Sequence, residues 1–413
     1  MTENRNTILA VILSGLVLLG WQYFFNLPQL EKQRAVQQAQ NEIMKPAPQA
    51  GSANTPQAGA TPSASAPAIN QPVAATPTVE RDTAIAAAPR VKIETPRLSG
   101  SLSLKGARID DLSLVQFRDT VDPLSPAIVL FSPSGTASPY YAEFLWIPAS
   151  GSTAKIPGSE TVWQQEGSNA LTPTTPVTLK YDNGDGLTFR RTIAVDDHYL
   201  FTVRDEVTNV GNAPVTLYPF ALISRGGTPP VSGYSILHEG FIGYLGDKGL
   251  EEQTYKNIDD SKLPIDASGA RGITYAKVTN AWLGITDKYW AAALLPNTDA
   301  TLETARFSAG GAVKRYQADY MLGPQTIAIG GTASVDARLF AGAKEASVVG
   351  MNFPIGGFGG YNKQLGLNHF DLLIDWGHFY FITKPMFLAL DFFYHLVGNF
   401  GIAILLVTVL VKL

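Results

Sequence analysis

Residues 177–195 read VTLKYDNGDGLTFRRTIAV. Apolar and polar side chains alternate on either side of Asn183-Gly184, a dipeptide suited to the positive φ angles of a tight turn. Alternation at period two places one face of each strand on a core. The stretch predicts a β-hairpin, and its surroundings read the same way. Residues 199–223, YLFTVRDEVTNVGNAPVTLYPFALI, repeat the scheme with Asn212 in the turn and Pro214 after it. Upstream, GSLSLKGARIDDLSLVQF (100–117) alternates Leu102, Leu104, Ile109, Leu112 and Leu114 around Gly106. Downstream, NAWLGITDKYWAAALLP (280–296) and ASVDARLFAGAK (333–344) continue it. Few segments over 91–353 show a helical period, and no strand–helix–strand rhythm appears. The span predicts a mainly β fold, one large antiparallel sandwich.

The totals set bounds on function. Charged residues make up 16% of the 413, below the quarter usual for a soluble domain, which points to membrane-embedded parts or a very β-rich body. The net charge of −4 gives no electrostatic footprint for nucleic acid. The absence of cysteine excludes a disulfide framework, thiolate metal sites and a cysteine nucleophile.

Composition divides the rest of the chain. TILAVILSGLVLLGWQYFF (7–25) is uncharged from Arg5 to Glu31. As a helix it would cover roughly 27 Å, close to a bilayer core. Trp21, Tyr23, Phe24 and Phe25 form an interfacial belt at its far end. Residues 1–30 therefore predict a transmembrane helix. A cleaved signal peptide is the competing reading, but no A-x-A-like site follows. Residues 31–90 are rich in Pro, Ala and Gln and poor in large apolar side chains, so they read as a disordered tether.

Motifs for chemistry are scarce. DNGDG (182–186) fails the EF-hand pattern, with Gly184 at its third position and Ile193 at its twelfth. His198, His238, His369, His378 and His395 lack zinc-site spacing. SRGGTPP (224–230) has no phosphate-loop Lys-Ser pair. The pairs Asp110-Asp111, Asp196-Asp197, Glu251-Glu252 and Asp259-Asp260 would point to opposite faces in strands and be solvated in loops. Trp282, Tyr289 and Trp290 suit either a sugar-stacking face or the core. No metal, cofactor or catalytic residue is assigned.

After the sandwich, FPIGGFGGYN (353–362) reads as a glycine hinge through Gly356, Gly357, Gly359 and Gly360. With the aromatic run at Trp376, Phe379, Tyr380 and Phe381 it makes a hinge and interfacial segment over 354–382. Thr383 suits a helix cap with Pro385 in the first turn. Met386, Leu390, Phe393 and Val397 recur at helical spacing, interrupted by Lys384, Asp391 and His395. Residues 383–397 thus predict an amphipathic helix lying in the membrane interface, with Asp391 and His395 meeting at i, i+4. Gly398 and Gly401 allow a bend. From Ile402 to Val411 only Thr408 is polar, and Lys412 follows. Ten apolar residues are too few to cross a bilayer, so residues 398–413 are expected to begin a second transmembrane helix that is cut short.

These stretches resemble the YidC-type membrane protein insertases of the bacterial inner membrane. The resemblance rests on SLSLKGARIDDLSL, FTVRDEVTNVGNAPVTLYPFALISR, NAWLGITDKYWAAALLP and above all IDWGHFYFITKPMFLALDFFYHLVGNFGIAILLVTVLVK. It implies a β-supersandwich in the periplasm and no enzymatic activity. It implies insertion and folding of nascent inner-membrane proteins, alone or with the Sec translocon, in contact with membrane lipids. It also implies a polar intramembrane groove with one basic residue, often arginine. In TVLVK that position is Lys412, with Thr408 one turn before it. Lysine keeps the charge and loses the planar fork. Two alternatives are a membrane-anchored carbohydrate-binding or carbohydrate-modifying sandwich and a scaffold for envelope proteins.

Overall fold

In a computed structural model the described residues are 78–229, 237–260, 262–266, 269–311, 313–352, 357–377 and 379–412. The helix expected over 1–30, most of the tether expected over 31–90, and hinge residue Gly356 lie outside them. Two antiparallel sheets form the body. The first runs β1 (Arg90–Glu94), β2 (Leu98–Ser103), β3 (Arg108–Arg118), β5 (Tyr140–Pro148), β10 (Val215–Gly226), β17 (Arg315–Leu322), β16 (Thr301–Gly310), β13 (Arg271–Thr279). β4 (Ala127–Phe131) adds to β3, and β18 (Gln325–Ile327) to β10. The second runs β12 (Leu250–Gln253), β11 (Gly240–Leu245), β14 (Ala281–Thr286), β15 (Trp290–Leu295), β19 (Thr332–Ala343), β9 (Leu200–Asn209), β8 (Leu187–Val195), β7 (Val177–Asp182), β6 (Gln164–Glu166).

The opening hairpin shows how sequence produces this. Val177 pairs with Ile193 and Asp182 with Thr188, so β7 and β8 are in register across the turn. Asn183 Oδ1 accepts from the backbone N–H of Asp185 and Leu187 at 2.8 and 2.9 Å, an Asx brace that leaves DNGDG a turn. Leu187, Phe189, Ile193 and Val195 then face one core with Phe201, Phe131 and Phe340. Arg191 shares their inward face. It is 1% exposed and pairs in bidentate fashion with Asp205 at 2.6 and 2.7 Å. It also donates to Phe144 O of the opposite sheet at 2.7 Å. A charge in this core is tolerable because it is paired and hydrogen-bonded, and it ties the two layers together.

Short helices complete the sandwich: α1 (Arg81–Ala86), α2 (Tyr255–Ile258), α3 (Ala346–Val349) and α4 (Gly360–Gln364). Val348, Val349, Tyr361, Leu367, Phe370 and Leu373 belong to the main core. The glycine hinge expected in 354–382 is therefore corrected over 360–373, where the chain packs into the sandwich, while Phe379, Tyr380 and Phe381 of the aromatic run stand exposed. Gly360 shows why. It is buried at φ +46°, and a Cβ there would meet Gly350 N at 2.4 Å and Val348 O at 2.6 Å. That glycine permits a close backbone approach, not a bend. Gly357 and Gly359 are exposed.

Candidate functional site

Two helices follow the sandwich, α5 (Tyr380–Val397) and α6 (Phe400–Lys412), and they pack on each other. Gly398 ends α5 in the left-handed conformation, φ +67°, with its N–H donating to Tyr394 O at 2.8 Å. Asn399 Oδ1 accepts from Ile402 N at 3.2 Å and caps α6. Gly401 lies within the first turn of α6 and makes no bend there. Large apolar side chains of both helices stand exposed, among them Phe381, Phe392, Leu396, Leu405 and Val411. Ala403 and Val407, one turn apart, are the buried residues of α6. Among the described residues no helix is long and apolar enough to cross a membrane.

The buried residue of α5 is its lysine. Lys384 reaches out of the helix into the sandwich, where Nζ donates to Asp371 Oδ2 at 3.0 Å and Asn352 O at 3.2 Å. It lies 5.5 Å from the ring centre of Trp376. Trp376 Nε1 in turn donates to Asp371 O at 3.2 Å, and Thr383 Oγ1 to Trp376 O at 2.7 Å. Phe387 packs edge-on against Trp376, ring centres 5.4 Å apart. These groups form a polar collar at the base of α5.

The collar corrects two expectations. Lys384 does not interrupt an exposed surface; it is buried. Thr383 is not the cap, since α5 begins at Tyr380 without a side-chain cap and the Thr383 hydroxyl serves the collar. Pro385 consequently sits inside the helix, where its missing N–H leaves the Phe381 carbonyl without its partner. Asp391 and His395 share a face, Nδ1 to Oδ2 at 3.5 Å, and His395 Nδ1 lies 2.9 Å from Asp391 O. Thr408 donates to Ile404 O at 2.8 Å within its own helix. Lys412 is exposed and pairs with none of the described residues. No periodicity announced Asp371 or Asn352, because their role depends on contacts 13 and 32 residues away.

Other candidates resolve structurally. Trp282 is fully buried, edge-to-face with Phe370, and its indole donates to Asn368 O at 3.0 Å, so it offers no face to a sugar. Asp196, Asp197 and His198 cluster closely enough to hold an ion. The Asp196 carboxylate is already engaged by the N–H groups of His198 and Leu200 and by the Tyr361 hydroxyl. Asp110 and Asp111 are both buried, paired with Arg90 and Arg81 respectively.

A family model described as the YidC periplasmic domain matches residues 90–389, from β1 through the collar into α5. The chain belongs to the YidC periplasmic domain family. Two proteins called membrane protein insertase YidC are each 67% identical to it. The Bradyrhizobium diazoefficiens protein aligns over 100% of this chain and 66% of its own length. For the Nitrobacter hamburgensis protein the shares are 100% and 64%. The chain thus spans just under two thirds of these YidC relatives. A galactose mutarotase related enzyme from Lactobacillus acidophilus is a distant likeness, 12% identical with a TM-score of 0.43, covering 61% of this chain and 97% of that one. So remote a likeness says nothing of function.

Proposed function

We propose that this chain is part of a membrane protein insertase that places nascent inner-membrane proteins in the bilayer. The observation that carries the reading is an exposed apolar helical hairpin, bearing a cation that pairs with none of the described residues, fixed to a YidC periplasmic domain. In this reading the sandwich lies in the periplasm, residues 1–30 anchor the chain, and the segment from 31 up to α1 tethers the two, since Arg81 and Arg90 already pair with Asp111 and Asp110 of the sandwich. α5 lies in the interface with Asp391 and His395 towards water. α6 leads into a bilayer-crossing helix, and Lys412 faces a polar groove whose other walls come from the rest of the protein. A cation within the membrane is costly unless a polar cavity receives it, which favours a role in drawing polar parts of a substrate inward. No covalent step is required, and Sec translocon components and lipids are the expected partners.

The test uses the full-length protein in proteoliposomes, with protease protection of a single-span substrate as the readout. Lys412→Ala should lower insertion by about fivefold or more, equivalent to roughly 1 kcal/mol, while Lys412→Arg stays within about twofold. Equal insertion by Lys412→Ala removes Lys412 from the mechanism. A wild-type protein that inserts nothing overturns the reading itself.

A further inference from the structure

Apolar contacts are non-directional, so a helix held by them alone is free to roll and slide on its support. Most large side chains of α5 are exposed and apolar, and they specify no single pose. The directional contacts of α5 with the sandwich centre on its lysine. Lys384 and Asp371 meet with side chains 7% and 3% exposed. Asp371 is itself held, because the N–H groups of Phe370 and Asp371 both donate to Asn362 Oδ1, at 2.7 and 3.3 Å. Phe370 and Leu373 on either side of it are core residues. Asp371 Oδ1 is buried without a hydrogen-bond partner among the described residues, Oδ2 accepts a long bond from Asn352 N at 3.5 Å, and Lys384 is the cation among the described residues paired with this carboxylate. A buried charged hydrogen bond is short-ranged and sensitive to angle, and losing one partner leaves the other uncompensated.

We propose that the Lys384–Asp371 pair is a positioning latch through which the sandwich sets the pose of the α5–α6 hairpin, and hence of Lys412. The functional half of this proposal rests on the insertase reading, and the structural half does not. Lys384 is a positioning residue, since its side chain is buried against the sandwich.

The lack of cysteine in this chain makes the pose measurable. In the full-length protein, freed of any further cysteine, spin labels at Val210→Cys in the sandwich and Leu396→Cys on α5 report one inter-label distance distribution; both sites are exposed. The wild type should give a single narrow distribution in phosphatidylethanolamine–phosphatidylglycerol vesicles. Lys384→Met should broaden it and lower insertion by about fivefold. The sandwich melting transition should remain. The double variant Lys384→Met, Asp371→Leu removes the buried charge and restores stability, yet should stay broad and poorly inserting, which a merely stabilising ion pair would not do. If Lys384→Met fails to fold, Asp371→Asn carries the same test, because it keeps shape and loses charge. A distribution as narrow as the wild type in these variants, or broadening with insertion intact, overturns the latch. Broadening in a protein whose wild type inserts nothing supports the latch and overturns the insertase reading.

Discussion

Lys344, just after β19, shows how burial tunes a single residue. Its Nζ donates to Thr286 Oγ1 at 2.9 Å, and no carboxylate among the described residues forms an ion pair with it. Burial pushes its pKa down from 10.5 to about 8, against the opposing pull of Asp287, Asp375, Glu239 and Glu252. Below pH 8 both folded and unfolded chains hold the proton, and the fold bears the full cost of the half-buried cation. Between about 8 and 10.5 the folded chain releases the proton first, so stability rises with pH across that window. Relative to Lys344→Met, the wild type should therefore gain roughly 1–3 kcal/mol between these limits in denaturant titrations. The variant should be the more stable at pH 7. The Thr286 hydroxyl would keep a partner, since it also donates to Asp287 O at 3.1 Å. A second residue-scale expectation concerns Gly360→Ala. Its Cβ would collide with backbone that cannot yield, so about 2 kcal/mol or more of stability should be lost, read as a lowered melting temperature.

At the scale of elements, legibility tracked how local each signal is. The β7–β8 hairpin could be read because alternation and Asn-Gly act within 19 residues. The sandwich followed from repeating that signal. Arg191 occupies an inward position of the same alternation, but its partner Asp205 lies on the next strand and Phe144 O in the other sheet. Local pattern could not supply those contacts. Glycine is the same letter whether it bends a chain or admits a close contact, which is why Gly360 read as hinge. Tyr380, Phe381 and Ile382 carry no capping chemistry, so the sequence marks the start of α5 only at Thr383, three residues after its start at Tyr380. The collar was illegible for a related reason: Lys384 in an apolar helix reads as a surface charge until Asp371 is brought beneath it. Between α5 and α6 the cap is local again. Asn399→Ala removes the acceptor for Ile402 N and should cost α6 about 1 kcal/mol, seen as faster amide exchange over 400–404 with the sandwich strands unchanged.

For the whole molecule, the issue is which force would bring the described residues to a membrane under the proposed function. The chain's net charge of −4 gives anionic lipid no overall attraction. The exposed side chains of α5 and α6 supply the alternative. Phe392, Leu396, Leu405 and Leu410 are each more than half exposed, apolar area available for transfer into lipid. Completing the burial of each in lipid contributes roughly 1 kcal/mol, so replacing all four by serine should weaken vesicle partitioning by about a thousandfold. A fragment covering 78–412 suits the measurement, since every buried residue of the main core lies between Val91 and Leu373. It should float with zwitterionic vesicles. Raising salt from about 50 to 500 mM should change binding less than about twofold, because screening acts on charge and not on apolar transfer. A steep loss of binding with salt would place the contact on charged residues instead. Unchanged flotation of the four-serine variant would show that the hairpin is not what meets the lipid.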